Sequence, residues 1–396
     1  MPIGDQMMHG FLGGKHKRDS RYWGGKLGAM VKMHFDEYLE EEYEVVEEFL
    51  IDHGKIRAAV YETVEMHEKQ RQRFLAVGTR FYKSKTNPEH LFVTVSSVDH
   101  DGDQRLSVYT PAESTVLVKG EDANELISQI ESDFYQSGAL KGAFFDLRFN
   151  FIARDKDIDE LIAWDEDVKE ALWKDIISFQ KAMPKLRECG VPNSRGVILA
   201  GPPGTGKTMI AKWLAAHSDI TCVLISAEMI TGRNDIKSCF EMARKLSPTL
   251  LIIEDIDTAG ALDRRASDHP LLGEFLQSMD GIVPNHGVIT LATTNHSNKI
   301  DPAIADRPGR FDRIIEVGLP GKDQRFHIFH HLLKKLDIAR NVTLEVKEKL
   351  AKSTEGLTGA WIRAIVQDSL ILAFSQDKTK IGKEHLLASL KDVMER

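Results

Sequence analysis

Cysteine, long apolar runs and an excess of basic charge are all scarce in this chain, and each scarcity excludes something. The three cysteines, Cys189, Cys222 and Cys239, form no CxxC pair and cannot all pair with one another. Free thiols in a reducing cytoplasm are the simplest reading. His9 with His16, Cys189 with any histidine, and Asp99-His100-Asp101 lack the spacing of metal ligands. The longest apolar runs, such as 249–253, are far below the ~20 residues of a membrane helix. A signal peptide is excluded because Gly24, Gly25 and Gly28 interrupt the stretch that follows the first basic residues. Lys plus Arg total 52 against 60 for Asp plus Glu, so no global basic excess points to nucleic acid. There is no internal repeat and no low-complexity segment.

What is present is globular. A length of 396 residues predicts two or three domains, and 42% hydrophobic with 28% charged residues rules out a largely disordered chain. Residues 1–30, rich in Gly, Met and basic side chains, read as a flexible leader: a disordered tail or a docking segment. Residues 31–150 read as a small helical and α+β domain for substrate or partner. Phe35, Leu39, Val46, Phe49 and Leu50 recur at helical spacing among Asp36, Glu37, Glu40, Glu41, Glu42, Glu44, Glu47 and Glu48, which predicts an amphipathic helix with a solvated acidic face. A second helix is predicted over 55–81, where Glu62, Glu65 and Glu68 precede Lys69, Arg71 and Arg73. Strands are expected at 91–98, 105–109 and 115–118, a helix at 123–135, and a strand pair at 143–152.

From about residue 155 short apolar strands (197–200, 222–226, 250–253, 288–293, 314–317) alternate with helix-length patterns. That rhythm predicts an α/β parallel sheet with helices on both faces over 151–320. The strands stop after Leu319-Pro320-Gly321, and three or four helices over 321–396 form a C-terminal helical lid.

Gly201-Pro202-Pro203-Gly204-Thr205-Gly206-Lys207-Thr208 fits GxxxxGK(S/T), follows a predicted strand and, with Met209, opens a predicted helix. Glycines let backbone N–H groups curl around a phosphate, and the helix N-terminus adds a favourable dipole. Lys207 supplies a point charge to β/γ oxygens, and the Thr208 hydroxyl suits Mg²⁺. The sequence therefore predicts a P-loop site for a nucleoside triphosphate. Downstream, Leu250-Leu251-Ile252-Ile253 leads into Glu254-Asp255, a buried strand presenting carboxylates where an open α/β sheet binds its ligands. One carboxylate can hold the Mg²⁺ shell and the next can orient a water.

From about residue 155 to its end the chain resembles an AAA-type ATPase of the AAA+ superfamily. The resemblance is carried by Arg195-Gly196, the GPPGTGKT loop, the acidic strand end, Thr293-Thr294-Asn295, and Asp301-Pro302-Ala303 through Arg307-Pro308-Gly309-Arg310-Phe311-Asp312-Arg313. Gly190 to Gly196 and the Glu254-Asp255 order are most similar to the branch of the mitochondrial inner-membrane AAA translocase of the Rieske protein and its prokaryotic relatives. The resemblance implies ATP and Mg²⁺ as ligands, with Thr208 and Glu254 on the metal side and Asp255 toward the water. Asn295 would sense the γ-phosphate, and Arg310 and Arg313 would reach a neighbouring subunit's nucleotide; the alternative for these arginines is a local ion pair with Asp306 or Asp312. Gly359 and Ala360 would approach the adenine.

The chain departs from the family's pattern in four places. The acidic pair runs Glu254 then Asp255, the reverse of the usual order. The 226–234 stretch is short and lacks an aromatic pore motif, offering Met229, Ile230, Thr231 and Gly232. Trp361 stands where some members carry a sensing arginine, with Arg363 expected to point elsewhere. A histidine expected against the nucleotide aligns nearer Leu332, with His330 and His331 adjacent. The resulting expectation is a cytoplasmic, homo-oligomeric ring ATPase, a hexamer, that remodels or translocates protein substrates; the alternative is an ATP-dependent assembly switch that activates a separate protease or nuclease.

Overall fold

The computed structural model describes residues 3–67, 70–112, 117, 122–226, 229–230, 233–256, 275, 277–279, 284–295, 311–339 and 342–395. The chain divides into two compact units, Met1–Ile152 and Ala153–Arg396.

The first unit is built on an antiparallel sheet of β1 (His16–Trp23), β2 (Tyr43–Asp52), β3 (Lys55–Arg57), β4 (Val60–Glu65), β5 (Arg71–Ser84), β6 (Leu91–Val98) and β7 (Gln104–Pro111). Its order is β1-β7-β6-β5-β2-β3, with β4 also paired to β5. Helices Ile3–Phe11 (α1), Gly25–Glu40 (α2) and Ala123–Ser137 (α3) accompany it. The leader expected over 1–30 is corrected by this arrangement. Met8 and Leu12 of the α1 region pack with Phe49, Phe81 and Val93, and β1 pairs with β7 over its whole length. Met7, Met8, Phe11 and Leu12 carry a helical stripe that the surrounding glycines obscure.

The two expected helices over 36–50 and 55–81 are also corrected. Helix α2 ends at Glu40, and Tyr43–Asp52 is a strand whose Phe49 ring lies 5.4 Å from that of Phe81. The acids are not one solvated face: Arg80 is clamped between Asp36 of α2 and Glu48 of β2, each at 2.6 Å. The charged string at 62–73 is a hairpin, in which Glu65 stands opposite Arg71. Opposite charges attract across a strand pair as well as at i,i+4 on a helix, so the charge pattern alone cannot distinguish the two. The strand expected at 115–118 lies outside the described residues apart from Leu117, whereas 91–98 and 123–135 are strand and helix as expected. The segment 143–152 has a short strand Phe144–Asp146 (β8) and a single bridge between Phe145 and Phe151.

The second unit places the site. Its strands are β9 (Arg195–Ala200), β10 (Thr221–Ser226), β11 (Thr249–Glu254), β12 (Val288–Thr294) and β13 (Arg313–Glu316), paired in parallel in the order β13-β9-β12-β11-β10. All seven residues of β12 are buried, as a sheet covered by helices requires. Before the sheet, helix Glu166–Leu172 (α4) is capped by Asp165, whose carboxylate accepts from Asp167 N and Val168 N. It continues through one π turn, Trp173–Ser178, into Phe179–Glu188 (α5). Helix Lys207–His217 (α6) follows β9, and Arg233–Lys245 (α7) follows β10. Four helices, Lys322–Lys334, Leu344–Ser353, Gly359–Ser375 and Lys383–Glu395, form the expected lid around Phe329, Leu350, Ile362, Ile365 and Leu386.

Candidate functional site

The phosphate loop joins the end of β9 to the start of α6. Gly204 (φ +80°) and Gly206 (φ +103°) adopt the left-handed backbone that glycine alone takes without strain. A Cβ on Gly204 would also stand 2.8 Å from Ala360 Cβ and 2.9 Å from Thr358 Oγ1. The loop is therefore close-fitted to the first turn of a lid helix, and Ala360 N donates to Gly204 O at 3.2 Å. Thr358 caps that helix by accepting from Trp361 N. Small residues at 204, 359 and 360 permit this approach, which seats Gly359 and Ala360 on the loop itself.

Lys207 is buried, and its ammonium donates to Gly201 O (2.7 Å), Pro202 O (2.9 Å) and Asn295 Oδ1 (2.8 Å). Asn295, just past β12, donates from Nδ2 to Asp255 Oδ1 at 3.0 Å. Asp255, just past β11, has φ +52°, and its N–H donates to Thr293 Oγ1 at 2.9 Å. Three strand ends, β9, β11 and β12, thus bring Lys207, Asn295 and Asp255 into one hydrogen-bonded chain. The parallel register makes this possible, because Thr293 and Thr294 of β12 lie beside Leu199 and Ala200 of β9.

These residues edge a cavity of about 480 Å³, within the range of small-molecule sites of about 300–1,000 Å³. Pro203 to Ile210 form its floor, and Gly359, Ala360 and Arg363 its lid side. Of the site residues read from sequence, Pro203, Gly204, Thr205, Gly206, Lys207, Thr208, Met209, Asp255, Asn295, Gly359 and Ala360 line it. Gly201 and Pro202 serve through their carbonyls on Lys207. Glu254 ends β11 opposite Ser226, and its Oε1 is buried without a hydrogen-bond partner. Glu254 is not among the residues that line the cavity; Thr208 on its floor and Asp255 at its edge offer oxygen donors of the hard type that Mg²⁺ takes, and Glu254 adds an unpaired carboxylate oxygen one residue before Asp255. The residues present fit a nucleoside triphosphate with Mg²⁺.

The arginines fall differently. Arg310 lies outside the described residues, as do Thr231 and Gly232 of the short 226–234 stretch. Arg313 opens β13 and pairs with buried Asp175 at 2.8 Å; Arg195 also pairs with Asp175. Arg363 is corrected: it does not point elsewhere but lines the cavity, with Nη2 4.0 Å from Met209 Sδ. Ala360 and Arg363 are three apart on one helix, share a face and line the cavity, whereas Trp361 is not among the lining residues. His331 and Leu332 line the cavity, while His330 lies off it with its imidazole pKa lowered by burial and by Lys347 and Lys334.

Sequence reasoning missed the wall made by Ile162, Ala163, Trp164, Val168, Leu319 and Ile328. They come from three separate stretches of the chain, 162–168, 319 and 328, and only the tertiary fold gathers them. Gln324 ties two parts of the wall, accepting from Gly321 N at 2.6 Å and donating to Ala163 O at 3.3 Å.

Residues 197–319 match the family described as "ATPase family associated with various cellular activities (AAA)". The proteasome-activating nucleotidase of Methanopyrus kandleri is 34% identical over 253 residues, covering 61% of this chain and 57% of that protein. The proteasome-activating nucleotidase of Saccharolobus solfataricus is 34% identical over 247 residues, 59% of this chain and 61% of the relative. The ATP-dependent zinc metalloprotease FtsH 2 of a Thermoanaerobacter species is 33% identical over 230 residues, 56% and 44% of the two chains. The matched region thus spans less than two thirds of each of these relatives. Matched family, loop geometry and the Lys207–Asn295–Asp255 chain agree: residues 197–319 are an AAA ATPase domain.

Proposed function

We propose that the protein is an ATP hydrolase that works as a homo-oligomeric ring, a hexamer, and remodels or translocates protein substrates, with residues 31–150 engaging substrate or partner. The observation that carries the hydrolytic part is the chain from Lys207 through Asn295 to Asp255. Lys207 exchanges an acceptor in the loop for a β/γ oxygen of ATP. Asn295, held by Asp255 on one side, is released by that exchange to meet the γ-phosphate or the water. Asp255 accepts the proton of the attacking water, in the manner of a positioned general base. Mg²⁺, held through Thr208 and Glu254, supplies charge neutralisation at the phosphates. Arg310 and Arg313 act across the subunit boundary, so that Arg313 leaves Asp175 when the ring forms.

The names of the relatives support a protein-directed role, since they are a proteasome-activating nucleotidase and an ATP-dependent protease. The former also favours the second reading, an assembly switch that activates a separately encoded protease. Placement in the branch of the Rieske-protein translocase rests on residues 190–196 and the Glu254-Asp255 order. Among the described residues no helix is long and apolar enough to cross a membrane. The test is to follow phosphate release and sedimentation with ATP, ADP and no nucleotide, then unfolding of a tagged fluorescent protein. ATP-dependent assembly with turnover and unfolding supports the first reading. Assembly and turnover without unfolding, but with stimulated cleavage by an added proteasome core, supports the second. A monomer without turnover under all conditions would sink both.

A further inference from the structure

The sheet of the first unit has two open edges, and they carry opposite charge. At one end of the strand order stands β1, paired with β7 on one side only. Along it Lys15, Lys17 and Arg18 are exposed and Arg21 is half-buried, against the single acid Asp19. The Arg18 guanidinium lies 5.8 Å from the centroid of the Tyr109 ring and donates to Ser20 Oγ at 3.1 Å, and Arg21 donates to Asn124. These four cations have no carboxylate partner among the described residues.

At the other end β2 meets β3 only over Leu50 to Asp52, so its outer edge is open from Tyr43 to Phe49. There Glu44, Val45, Val46 and Glu47 are exposed in succession, and Glu40 and Glu41 are exposed just before the strand. The nearest bases are Lys83, opposite Glu44 in the register, and Lys85, whose ammonium goes to Glu40 O. The four carboxylates make no ion pair among the described residues. Val45 and Val46 keep 46% and 49% of their surface exposed. The β2–β5 register shifts between Val45 and Glu47, and this bulge breaks the regularity of the edge. The contact that the edge can make is therefore through side chains rather than a continuous backbone ladder.

Charges and bulges commonly blunt a sheet edge against pairing. Opposite signs on the two edges do more than that. They set β1 against β1 and β2 against β2, yet leave β1 and β2 complementary. Three strands, β7, β6 and β5, stand between the two edges, a span of ~19 Å at the usual strand spacing. An edge cannot meet its opposite within one sheet, so the complement comes from another molecule.

We propose that the first unit binds a second copy of itself head to tail. The basic edge of one sheet (Lys15, Lys17, Arg18, Arg21) lies against the acidic edge of the next (Glu40, Glu41, Glu44, Glu47), with Val45 and Val46 covered at its centre. Such a contact between unlike patches is heterologous, and its repetition either closes a ring or runs on as a filament. The ring of the proposed function is the closed case. The edge contact itself rests on the first unit alone and does not depend on the nucleotide site.

The test uses the full chain, in equal parts of unlabelled and isotope-labelled protein, treated with a carbodiimide that joins amines to carboxylates in direct contact. Mass spectrometry is expected to find mixed-isotope links between peptides holding Lys15 or Lys17 and peptides holding Glu40, Glu41, Glu44 or Glu47. Their yield should fall in high salt, which screens exposed charges. Two double variants follow: Lys17→Glu with Arg18→Glu, acidic on both edges, and Glu44→Lys with Glu47→Lys, basic on both. Each alone is expected to self-associate about 5–30-fold more weakly by sedimentation without nucleotide. A mixture of the two should regain the loss, because each edge then meets one of opposite sign. The link on the unmodified protein needs neither variant to fold. Absence of mixed-isotope links in protein that sediments as a ring overturns the inference and leaves the ring standing, the basic edge then facing an acidic segment of a different protein. Unchanged association in both variants, or no rescue on mixing them, also overturns it. A monomer without links under all conditions overturns both the edge contact and the ring.

Discussion

Replacing Asp255 with Asn separates chemistry from structure at this site. Asp255 sits at φ +52°, a region where Asn and Asp are the most readily tolerated residues with a side chain, so the backbone is not strained further by the change. Its N–H keeps the 2.9 Å bond to Thr293 Oγ1, and an amide oxygen can still accept from Asn295 Nδ2. What is lost is the charge. A hydrogen bond to a charged group is worth about 1.5–3 kcal/mol and a neutral one about 0.5–1.5, so the variant is destabilised by about 1 kcal/mol. Loss of general-base assistance slows turnover by ~10²–10⁴, equivalent to ~2.7–5.4 kcal/mol on the barrier. The catalytic effect therefore exceeds the structural one several-fold. Asp255→Ala would blur this, because it removes the bond to Asn295 and places a Cβ-bearing residue with no polar group in the left-handed region, adding about 1–2 kcal/mol. Steady-state phosphate release is measured beside ATP affinity by calorimetry, with and without Mg²⁺. Asp255→Asn is expected to bind ATP as the parent does, and slow release alone should change. Glu254→Gln, by contrast, is expected to lose Mg²⁺-dependent affinity. Parental turnover in Asp255→Asn refutes the base assignment, and the reverse pattern in the two variants shows that the acids have exchanged roles.

Lys207→Ala removes an ammonium with three acceptors, and ATP affinity should fall by at least about 10–100-fold while the melting transition survives; unchanged affinity by calorimetry would contradict the site. Arg310→Ala should abolish turnover with ATP binding within a few-fold, and mixing it with Lys207→Ala should restore part of the rate through mixed interfaces; a parental rate in the single variant argues against a role in trans. Gly204→Ala should cost about 1–2 kcal/mol and weaken ATP binding, since its Cβ meets Ala360 at 2.8 Å in a left-handed backbone; a parental melting temperature and affinity would show that the lid yields. In the first unit, burial lowers Lys32 to about 8 although it donates to Ala76 O, Ser97 O and Gln104 Oε1. Its unfolded pKa is about 10.4, so between these values the unfolded chain binds the extra proton and stability rises with pH. Denaturant titrations of the parent minus Lys32→Met should show that rise from about pH 8 to 10, flat below; no slope in the difference would mean the ammonium is not desolvated.

Much of the second unit is legible without coordinates because its signals are local. A phosphate loop needs glycines at set positions, and a buried parallel strand needs a continuous apolar run, so Gly201 to Thr208 and 250–253 declare themselves. The helical character of the lid is equally plain once the strands stop at Leu319-Pro320-Gly321, although the sequence left its helices at three or four and the structure has four. In the first unit the same local evidence misleads. The acids from Asp36 to Glu48 and the charges from Glu62 to Arg73 satisfy helical spacing, yet pairing with the fourteen-residue β5 outweighs it and places Asp36 and Glu48 on either side of Arg80. Propensity is a weak prior, and strand pairing depends on residues that the run itself does not contain.

The candidate chemistry is legible along the chain: the residue types proposed for a phosphate, a metal and a proton, and their place after predicted strands. Their spacing along the chain is dictated by backbone geometry that any reader of the motif can apply. Which side chains meet depends on the folded arrangement. It joins Lys207, Asn295 and Asp255 across three strands, ties Arg313 to Asp175, turns Arg363 rather than Trp361 to the cavity, and sets the indole of Trp164 in the wall. Each of those outcomes depends on sheet order and helix phase, which relate residues tens to more than a hundred positions apart, and no window along the chain contains both partners.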